Sequence, residues 1–248
     1  MAEQGALGHS SMNVVIAGGG GIAQALALQL LQDFPVERLF LLQRGQTAPA
    51  DPRVQNIPLD ATDPASIAAA GSTVAGEVDR VHLLLNTVGV LHDDRVQPEK
   101  RLKDVTAESL HHLMQANAFL LPQLAQAFSS LLRHSEASIV GSLSARVGSI
   151  TDNDLGGWYS YRASKAAHNQ LLRTLAREWR ISHKHCCVVA LHPGTVATKL
   201  SEPYTPANYS RRVLSPQECA QALLDVLSNI GAKESGSFLA WDGTPIPW

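Results

Sequence analysis

Tyr161 and Lys165 stand four residues apart in the segment GGWYSYRASKAAHNQLLRTLAREW, whose later apolar residues keep helical spacing. Residues four apart on a helix share one face, so we expect the ammonium group of Lys165 beside the phenol of Tyr161. A cation there favours the phenolate and lowers the pKa of the tyrosine from its usual value of about 10. The pair therefore predicts proton transfer by Tyr161 at neutral pH, although the same spacing is common in surface pairs.

Four consecutive glycines follow the first predicted strand and precede an apolar helical stripe. Glycines at such a turn let main-chain N–H groups approach a pyrophosphate at the positive end of a helix. The run fits the dinucleotide fingerprint as Gly18-x-Gly20-x-x-Ala23, and a shortened variant as Gly18-x-x-Gly21-x-Ala23. Together with Ile22, these residues predict a site for the phosphates of a dinucleotide. A flexible turn is the alternative.

Arg44 follows the second predicted strand, at the point where an acid would accept the ribose 2′-hydroxyl of NAD. A guanidinium instead offers a planar pair of donors for a 2′-phosphate. NADP(H) is therefore the expected cofactor and NAD(H) the less favoured one, with a solvated surface arginine as the alternative. Asp60 closes the third strand and is expected either to accept a hydrogen bond from the adenine amino group or to serve as a turn residue.

Short runs rich in Val, Leu and Ile alternate with longer Ala- and Leu-rich helical patterns, which is typical of βαβ units around a parallel sheet. The predicted strands occupy residues 13–17, 38–43, 54–59, 79–86, 137–142, 186–191 and 236–240. A helical stretch runs from Thr106 to Leu132, with a kink expected at Pro122. The sequence thus predicts an α/β, doubly wound Rossmann fold with about seven parallel strands and helices on both faces. Residues 12–248 are expected to form this single domain, and residues 1–11 an N-terminal extension that need not be ordered.

The composition favours a protein that acts on small molecules. Its 248 residues include 20 Lys and Arg against 22 Asp and Glu, which gives a net charge of −2, and 45% are hydrophobic. We therefore expect no binding to nucleic acid or to a membrane, no secretory signal, and a soluble cytoplasmic protein. Cys186 and Cys187 are interpreted as reduced strand thiols. The short runs His183-Lys184-His185 and Asp152-Asn153-Asp154 lack partner ligands, so no metal site is expected.

Several stretches, taken in order, resemble the short-chain dehydrogenase/reductase family and its C-factor-like branch. They are the glycine turn, GSLSARVGSI, WYSYRASKAA, LHPGTVATKL and FLAWDGTPIPW. The resemblance extends from Met12 to Trp248. It implies hydride transfer between a nicotinamide and a carbonyl or alcohol carbon, with Tyr161 as the general acid or base. It also implies that Lys165 assists this tyrosine and holds the nicotinamide ribose.

The resemblance assigns roles to residues outside this helix as well. Asn117 matches an asparagine whose main chain positions a relay water, and Asn86 and Gly89 match a turn that faces the cofactor. Contacts to the nicotinamide are implied for the segment that contains Pro193, Gly194, Val196 and Thr198. The polar segment 199–212 is expected to cover the substrate, with an ordinary surface loop as the alternative.

The serine that the family uses in catalysis is displaced in this sequence. Alignment on Gly148 puts that serine opposite Ala145, with Ser144 one residue earlier. The segment from there to Tyr161 is longer than usual, so a rearranged loop would bring Ser144 into place. We therefore choose Ser144 over Ser142 as the catalytic serine.

These observations lead to an NADP(H)-dependent carbonyl reductase or alcohol dehydrogenase acting on a small molecule. The rival hypothesis is a cofactor-binding signalling or regulatory protein of the C-factor type with weak or no turnover. An epimerase or dehydratase that uses the same tyrosine is a third hypothesis. The resemblance further implies a homodimer or homotetramer that pairs through the helices bearing Tyr161 and Asn117.

Overall fold

A central parallel sheet organises the molecule. The computed structural model describes residues 7–206 and 208–248. The strands are β1 (Met12–Ala17), β2 (Val36–Gln43), β3 (Val54–Pro58), β4 (Leu83–Asn86), β5 (Ser138–Leu143), β6 (Cys186–His192), β7 (Thr195–Val196), β8 (Val213–Leu214) and β9 (Phe238–Ala240). Seven of them form one sheet in the order β3-β2-β1-β4-β5-β6-β9, and all its pairings are parallel. β7 and β8 pair separately.

Helices cover both faces of the sheet. They are α1 (Gly21–Asp33), α2 (Pro64–Ala75), α3 (Ala107–Asn117), α4 (Leu120–Leu132), α5 (Tyr159–Ser182) and α6 (Pro216–Ser228). The helices α1 and α6 contribute to one apolar core, and α2, α4 and α5 contribute to the other. Because strands such as β6 are buried on both faces, they are apolar throughout rather than alternating. The prediction of a doubly wound α/β fold is confirmed.

The strand order reverses between β1 and β4. From β1 the chain moves outward to β2 and β3, and then returns to build β4, β5, β6 and β9 on the other side. Connections leave the carboxyl ends of β1 and β4 in opposite directions at this point, which opens a crevice between them. Ligands of doubly wound folds bind in such a crevice. The glycine turn after β1 and the turn after β4 both lie there.

Two helix starts are capped by side chains. The Asp63 carboxylate accepts hydrogen bonds from the main-chain N–H groups of Ala65 and Ser66, and Pro64 occupies the first position of α2. At α6, Ser215 and Glu218 each accept a hydrogen bond from the other's main-chain N–H. Such caps stabilise a helix by about 1 kcal/mol each.

The predicted long helix is two helices. The helical hydrogen bonding is interrupted between Asn117 and Leu120. The N–H groups of Ala118 and Phe119 there both donate to the carbonyl of Met114. The expectation of a kink at Pro122 is wrong, because this proline lies in the first turn of α4. A first-turn residue has no intrahelical partner for its N–H, so proline costs little there.

The segment before β1 packs against the domain from residue 7 onward. Leu7 is only 4% exposed and belongs to the apolar core that contains α1. A ring nitrogen of His9 lies 2.8 Å from the carbonyl oxygen of Ala137, which precedes β5. The rest of the predicted extension, residues 1–6, lies outside the described residues. No helix in the described ranges combines the length and apolar character of a membrane span.

Candidate active site

Gly18 makes the sharp turn at the end of β1. Its φ of +121° lies in a region that side chains rarely adopt, and its N–H donates to the carbonyl of Leu42. A Cβ atom at this position would lie 2.2 Å from Oγ1 of Thr87, which follows β4. Both the backbone angle and the close approach therefore require glycine.

Gly20 caps the first turn of α1 without any side-chain hydrogen bond. A Cβ atom there would meet nothing within 4 Å, so there is open space beside the start of α1. Such a helix start carries partial positive charge and binds anions. The next position, Gly21, lies under Thr198, whose Cγ2 would be 3.6 Å from an added Cβ. The turn therefore fits a dinucleotide pyrophosphate, and Ile22 beside it packs against the apolar core.

Arg44 is exposed directly after β2, and its charge contributes to lowering the pKa of Asp60. The larger cause of that lowered pKa is Thr62, whose hydroxyl and N–H both donate to Oδ1 of Asp60. This oxygen is thus occupied in a local turn, which matches the alternative interpretation of Asp60. Arg44 therefore lies within electrostatic reach of Asp60, which follows β3.

Asn86 and Asn117 hold the turn after β4 from two sides. The Asn86 amide donates to Oγ of Ser142 at 3.0 Å and accepts from the N–H of Val88 at 3.2 Å. The Asn117 amide both accepts from the N–H and donates to the carbonyl of Val90, at 2.8 Å each. These contacts join the ends of β4, β5 and α3 around the predicted cofactor turn.

Lys165 is buried at the centre of this arrangement. Its Nζ donates to the carbonyl oxygen of Leu143 at 3.0 Å and lies 3.4 Å from where a Cβ of Gly89 would be. A Cβ of Gly148 would lie 2.8 Å from Cβ of Lys165, so the loop after β5 packs directly on α5. Burial lowers the pKa of Lys165 to about 8. The structure therefore brings Lys165, Gly89 and Asn117 together.

Tyr161 lies one turn earlier on the same buried face of α5. It is 7% exposed and packs in an apolar cluster with Leu91, Val96 and Leu113. Burial raises the pKa of Tyr161, so the expectation that Lys165 would lower it is wrong for this structure. The cause of the raised pKa is the removal of the phenolate from water. The phenol is consequently neutral, which suits a proton donor.

Neither candidate serine offers its hydroxyl to Tyr161. Oγ of Ser144 donates to Oδ1 of Asn169 at 2.6 Å, and Oγ of Ser142 accepts from Asn86. Ala145, the residue after Ser144, packs against the cluster around Tyr161. The rearrangement that would bring Ser144 into place is therefore not present, because its hydroxyl is held on α5 by Asn169.

His168 is a buried polar residue near Lys165 that sequence reasoning missed. Its Nδ1 lies 3.0 Å from the main-chain oxygen of Asn117, and its Nε2 has no partner among the described residues. Burial, with a smaller contribution from the charge of Lys165, lowers the pKa of His168 to about 3. The imidazole is neutral. It is hydrogen-bonded to the main-chain oxygen of Asn117, the residue whose main chain positions a relay water according to the family resemblance.

Glu99 forms hydrogen bonds with the start of α5. Sequence reasoning did not identify this residue either. Its carboxylate accepts from the N–H and the hydroxyl of Ser160, and its carbonyl accepts from the N–H of Trp158 at 2.6 Å. Gly156, Gly157 and Trp158 have φ values of 62°, 66° and 52°, so the chain enters the helix through three left-handed residues. Such a backbone persists only where surrounding contacts hold it. Glu99 supplies these contacts at Trp158 and Ser160, and the Arg162 guanidinium donates to the carbonyls of Gly156 and Gly157.

We expect replacement of Glu99 by alanine to lower the free energy of unfolding by about 2–4 kcal/mol, because two donors of a buried turn lose their acceptor. Urea unfolding followed by fluorescence measures this change. The control is Glu178→Ala, which removes an exposed carboxylate from the same helix. Equal midpoints for the two variants would refute the role of Glu99.

The loop after β6 reaches the glycine turn. Pro193 begins this loop, and Gly194 follows with a φ of +78°. A Cβ atom at Gly194 would lie only 2.8 Å from Cδ1 of Trp241. Val196 is buried in β7, and Cγ2 of Thr198 lies 3.6 Å from where a Cβ atom of Gly21 would be. The structure thus places this loop beside the glycine turn.

A cluster at the amino ends of β4 and β5 contains three side chains that could bind a cation. His9, His82 and Glu136 approach one another within 4.8 Å. However, Nδ1 of His82 accepts from the N–H of Asn13, so the proton of this ring is on Nε2 and is directed at Glu136 at 2.9 Å. A nitrogen that carries a proton has no lone pair for a metal. A neutral His82 therefore donates a hydrogen bond to Glu136, and the ion-pair partner of Glu136 is Arg80.

The chain matches known proteins along most of its length. Residues 42–243 match the sequence profile of the family described as enoyl-(acyl carrier protein) reductase. A 1-hydroxy-2-glutathionyl-2-methyl-3-butene dehydrogenase from Rhodococcus sp. strain AD45 is 29% identical over 77% of this chain and 78% of its own. The C-signal protein of Myxococcus xanthus is 29% identical over 59% of this chain and 83% of its own.

A solved structure, the NADPH-bound carbonyl reductase from chicken fatty liver, has a TM-score of 0.85 and 28% identity, and the match covers 100% of this chain and 97% of that one. The family profile and these relatives agree with the ordered motifs, the parallel sheet and the crevice at the carboxyl ends of β1 and β4. The resemblance stated from the sequence is confirmed. This chain belongs to the short-chain dehydrogenase/reductase family and is an oxidoreductase of that type.

Proposed function

We propose that the protein is an NADP(H)-dependent reductase of small carbonyl compounds, working in reverse as an alcohol dehydrogenase. The observation that carries this proposal is the joint burial of Tyr161 and Lys165 on the face of α5 that closes the crevice. The glycine turn lies at the other side of that crevice, with open space over the start of α1. The NADPH-bound relative supports the choice of cofactor.

The chain's own residues move and position a proton. When bound, the nicotinamide supplies the hydride that adds to the carbonyl carbon. The neutral phenol of Tyr161 donates its proton to the oxygen that gains negative charge, and a positioned acid of this kind accelerates a reaction by about 10²–10⁴-fold. Lys165 would hold the ribose hydroxyls, and its charge favours the phenolate left after proton transfer. Asn117 and Asn86 keep the turn after β4 in place.

The surroundings of Tyr161 favour uncharged, apolar substrates. The Trp158 ring meets the Tyr161 ring edge-on at 6.2 Å and the Tyr204 ring at 5.1 Å. Val147 and Leu200 pack against the same cluster. Aromatic and aliphatic side chains exclude water from such a site. Burial of apolar ligand surface against them contributes about 25 cal/mol of binding free energy per Å². We therefore propose aldehydes, ketones and quinones without a charged group near the carbonyl.

The activity is tested by NADPH oxidation with a panel of aromatic and aliphatic aldehydes, ketones and quinones. We expect turnover with apolar members of the panel and little with their carboxylate-bearing analogues. Tight NADPH binding without turnover of any member would contradict the reductase proposal.

Arg44 decides the preference for NADPH in this proposal. Arg44→Gln should lower kcat/KM with NADPH about tenfold or more and leave that with NADH nearly unchanged, because only the 2′-phosphate contact is lost. Steady-state kinetics with both cofactors measure this. Arg180→Gln, an exposed arginine of α5, is the matched control. If the wild-type protein used NADH as efficiently as NADPH, the role of Arg44 would be wrong.

One observation favours a second candidate, a cofactor-binding signalling or regulatory protein with weak turnover. The hydroxyl of Ser144 is committed to Asn169, and Ala145 occupies the place beside Tyr161. A hydrogen-bond donor to the developing oxyanion is therefore missing from the position that the family's serine usually has. Loss of such a donor lowers the rate by about 10²–10³-fold. The similarity to the C-signal protein agrees with this candidate. A measured NADPH affinity without reduction of the panel would favour it.

We also propose a homodimer or homotetramer that pairs through α5 and the region around Asn117. The support is the family resemblance alone. Size-exclusion chromatography with light scattering measures the molecular mass in solution, and a mass of 26.6 kDa would contradict the proposal.

A further inference from the structure

Trp158 precedes α5 in a backbone conformation that bulky residues rarely adopt. Its φ is 52° and its ψ is 44°, and no other non-glycine residue in the described ranges has a positive φ. Its N–H donates to the carbonyl of Glu99 at 2.6 Å, and its carbonyl accepts from the N–H of Arg162 at 2.8 Å. Bulky residues held in this region are outliers that cluster at active sites. The surroundings of Trp158 therefore impose the direction in which its side chain leaves the backbone.

The indole of Trp158 lies between two tyrosine rings. It meets the Tyr161 ring edge-on, with the ring centres 6.2 Å apart, and the Tyr204 ring edge-on at 5.1 Å. Trp158 is half-buried at the margin of the apolar cluster. No described residue accepts a hydrogen bond from its indole N–H, and this atom is not fully enclosed. Because an indole N–H in an apolar site usually has an acceptor, this donor is available to a ligand oxygen.

The site around Tyr161 lacks a second donor for the substrate oxygen. Carbonyl reduction places negative charge on that oxygen, and hydrogen-bond donors fixed beside it stabilise the charge. The hydroxyl of Ser144 is bonded elsewhere, and Ala145 has no polar side-chain atom. Apart from Tyr161 itself, only Trp158 and Tyr204 in the described cluster carry a side-chain N–H or O–H group. Of these two, Trp158 has the ring contact with Tyr161.

We propose that Trp158 is a catalytic residue whose indole N–H replaces the hydroxyl of the family's serine. This inference rests on the proposed reductase function. The substrate oxygen accepts hydrogen bonds from the phenol of Tyr161 and from the indole N–H. As the carbonyl carbon gains a hydride, the indole N–H stabilises the charge that develops on the oxygen, and the phenol transfers its proton to that oxygen. The left-handed turn that Glu99 holds positions this donor.

Trp158→Phe tests the proposal, because phenylalanine keeps an aromatic ring against Tyr161 and Tyr204 but has no N–H group. We expect kcat for an apolar ketone to fall about 10²-fold, while KM and the dissociation constant for NADPH change little. NADPH oxidation gives kcat and KM, and isothermal titration gives the affinity for NADPH. The matched control is Trp248→Phe, which removes an indole N–H next to Phe238 and should leave kcat unchanged.

A restored serine hydroxyl provides a second test. Ala145 packs against the same cluster, so Ala145→Ser offers an O–H group beside Tyr161. Added to Trp158→Phe, this substitution should raise kcat at least about tenfold. In the parent protein it should raise kcat far less, since the indole already supplies a donor. A merely structural role of Trp158 would not produce this difference.

Three results would overturn the proposal. They are an unchanged kcat in Trp158→Phe, a raised KM without a fall in kcat, and a loss of kcat that Ala145→Ser does not restore. Any of these results with an active parent protein would contradict this inference alone. A parent protein that reduces no member of the carbonyl panel would instead contradict the proposed function, and this inference with it.

Discussion

Tyr161→Phe should lower kcat for carbonyl reduction by about 10²–10⁴-fold, while the dissociation constant for NADPH stays nearly the same. The reason is that the substitution removes only the hydroxyl, and with it the neutral acid that burial maintains. The ring remains to fill the cluster with Leu91, Val96 and Leu113. Stopped-flow or steady-state measurement of NADPH oxidation gives kcat, and fluorescence titration gives the affinity.

The matched control for this variant is Tyr159→Phe, two residues earlier on the same helix. Tyr159 is 41% exposed, so loss of its hydroxyl should leave kcat and stability within error of the parent protein. Full activity of Tyr161→Phe would eliminate this residue as the acid. A loss that comes with equally weakened NADPH binding would mean that the substitution disturbs the crevice rather than the proton transfer.

The second large effect is expected at the glycine turn, where two neighbouring positions should respond in different ways. Gly18→Ala forces a side chain into a φ of +121° and against Thr87, so the free energy of unfolding should fall by about 2–4 kcal/mol. Gly20→Ala meets open space in the protein itself, and it should leave stability nearly unchanged. It should nevertheless weaken NADPH binding about tenfold or more, because the added methyl group occupies the place over the start of α1.

Urea unfolding and NADPH titration of both variants separate these two effects. If Gly20→Ala bound NADPH as tightly as the parent protein, the pyrophosphate would have to bind elsewhere. If Gly18→Ala were as stable as the parent, the close approach between the ends of β1 and β4 would not be important for the fold. The pair thus tests the cofactor site and the local packing independently.

The sequence predicted those parts of the fold that depend on local pattern. Continuous apolar runs identify buried parallel strands because both faces of each strand are covered, and residues such as those of β1 and β6 show this directly. The capping residues Asp63 and Ser215 act through neighbours two or three positions away, which a sequence displays. The glycine turn was recognisable because a strand precedes it and a helix follows it.

Features that depend on distant contacts were not predictable. Glu99 acts on Ser160, which is 61 residues away, and His168 acts on Asn117, which is 51 residues away. The direction of the pKa shift of Tyr161 depends on how many apolar groups surround it, and spacing along a helix does not show that number. Ser144 was chosen from its position after β5, but its partner Asn169 is fixed only by the packing of the loop on α5.

The position of β9 has a consequence for synthesis of the chain. In the described sheet, β6 has β5 on one side and only β9 on the other, and β9 consists of Phe238–Ala240. A ribosome therefore releases the apolar strand Cys186–His192 some fifty residues before its last neighbour emerges. An unpaired edge of this kind is a template for self-association of nascent or truncated chains. Premature termination before Phe238 should consequently yield aggregates rather than a slightly weakened enzyme.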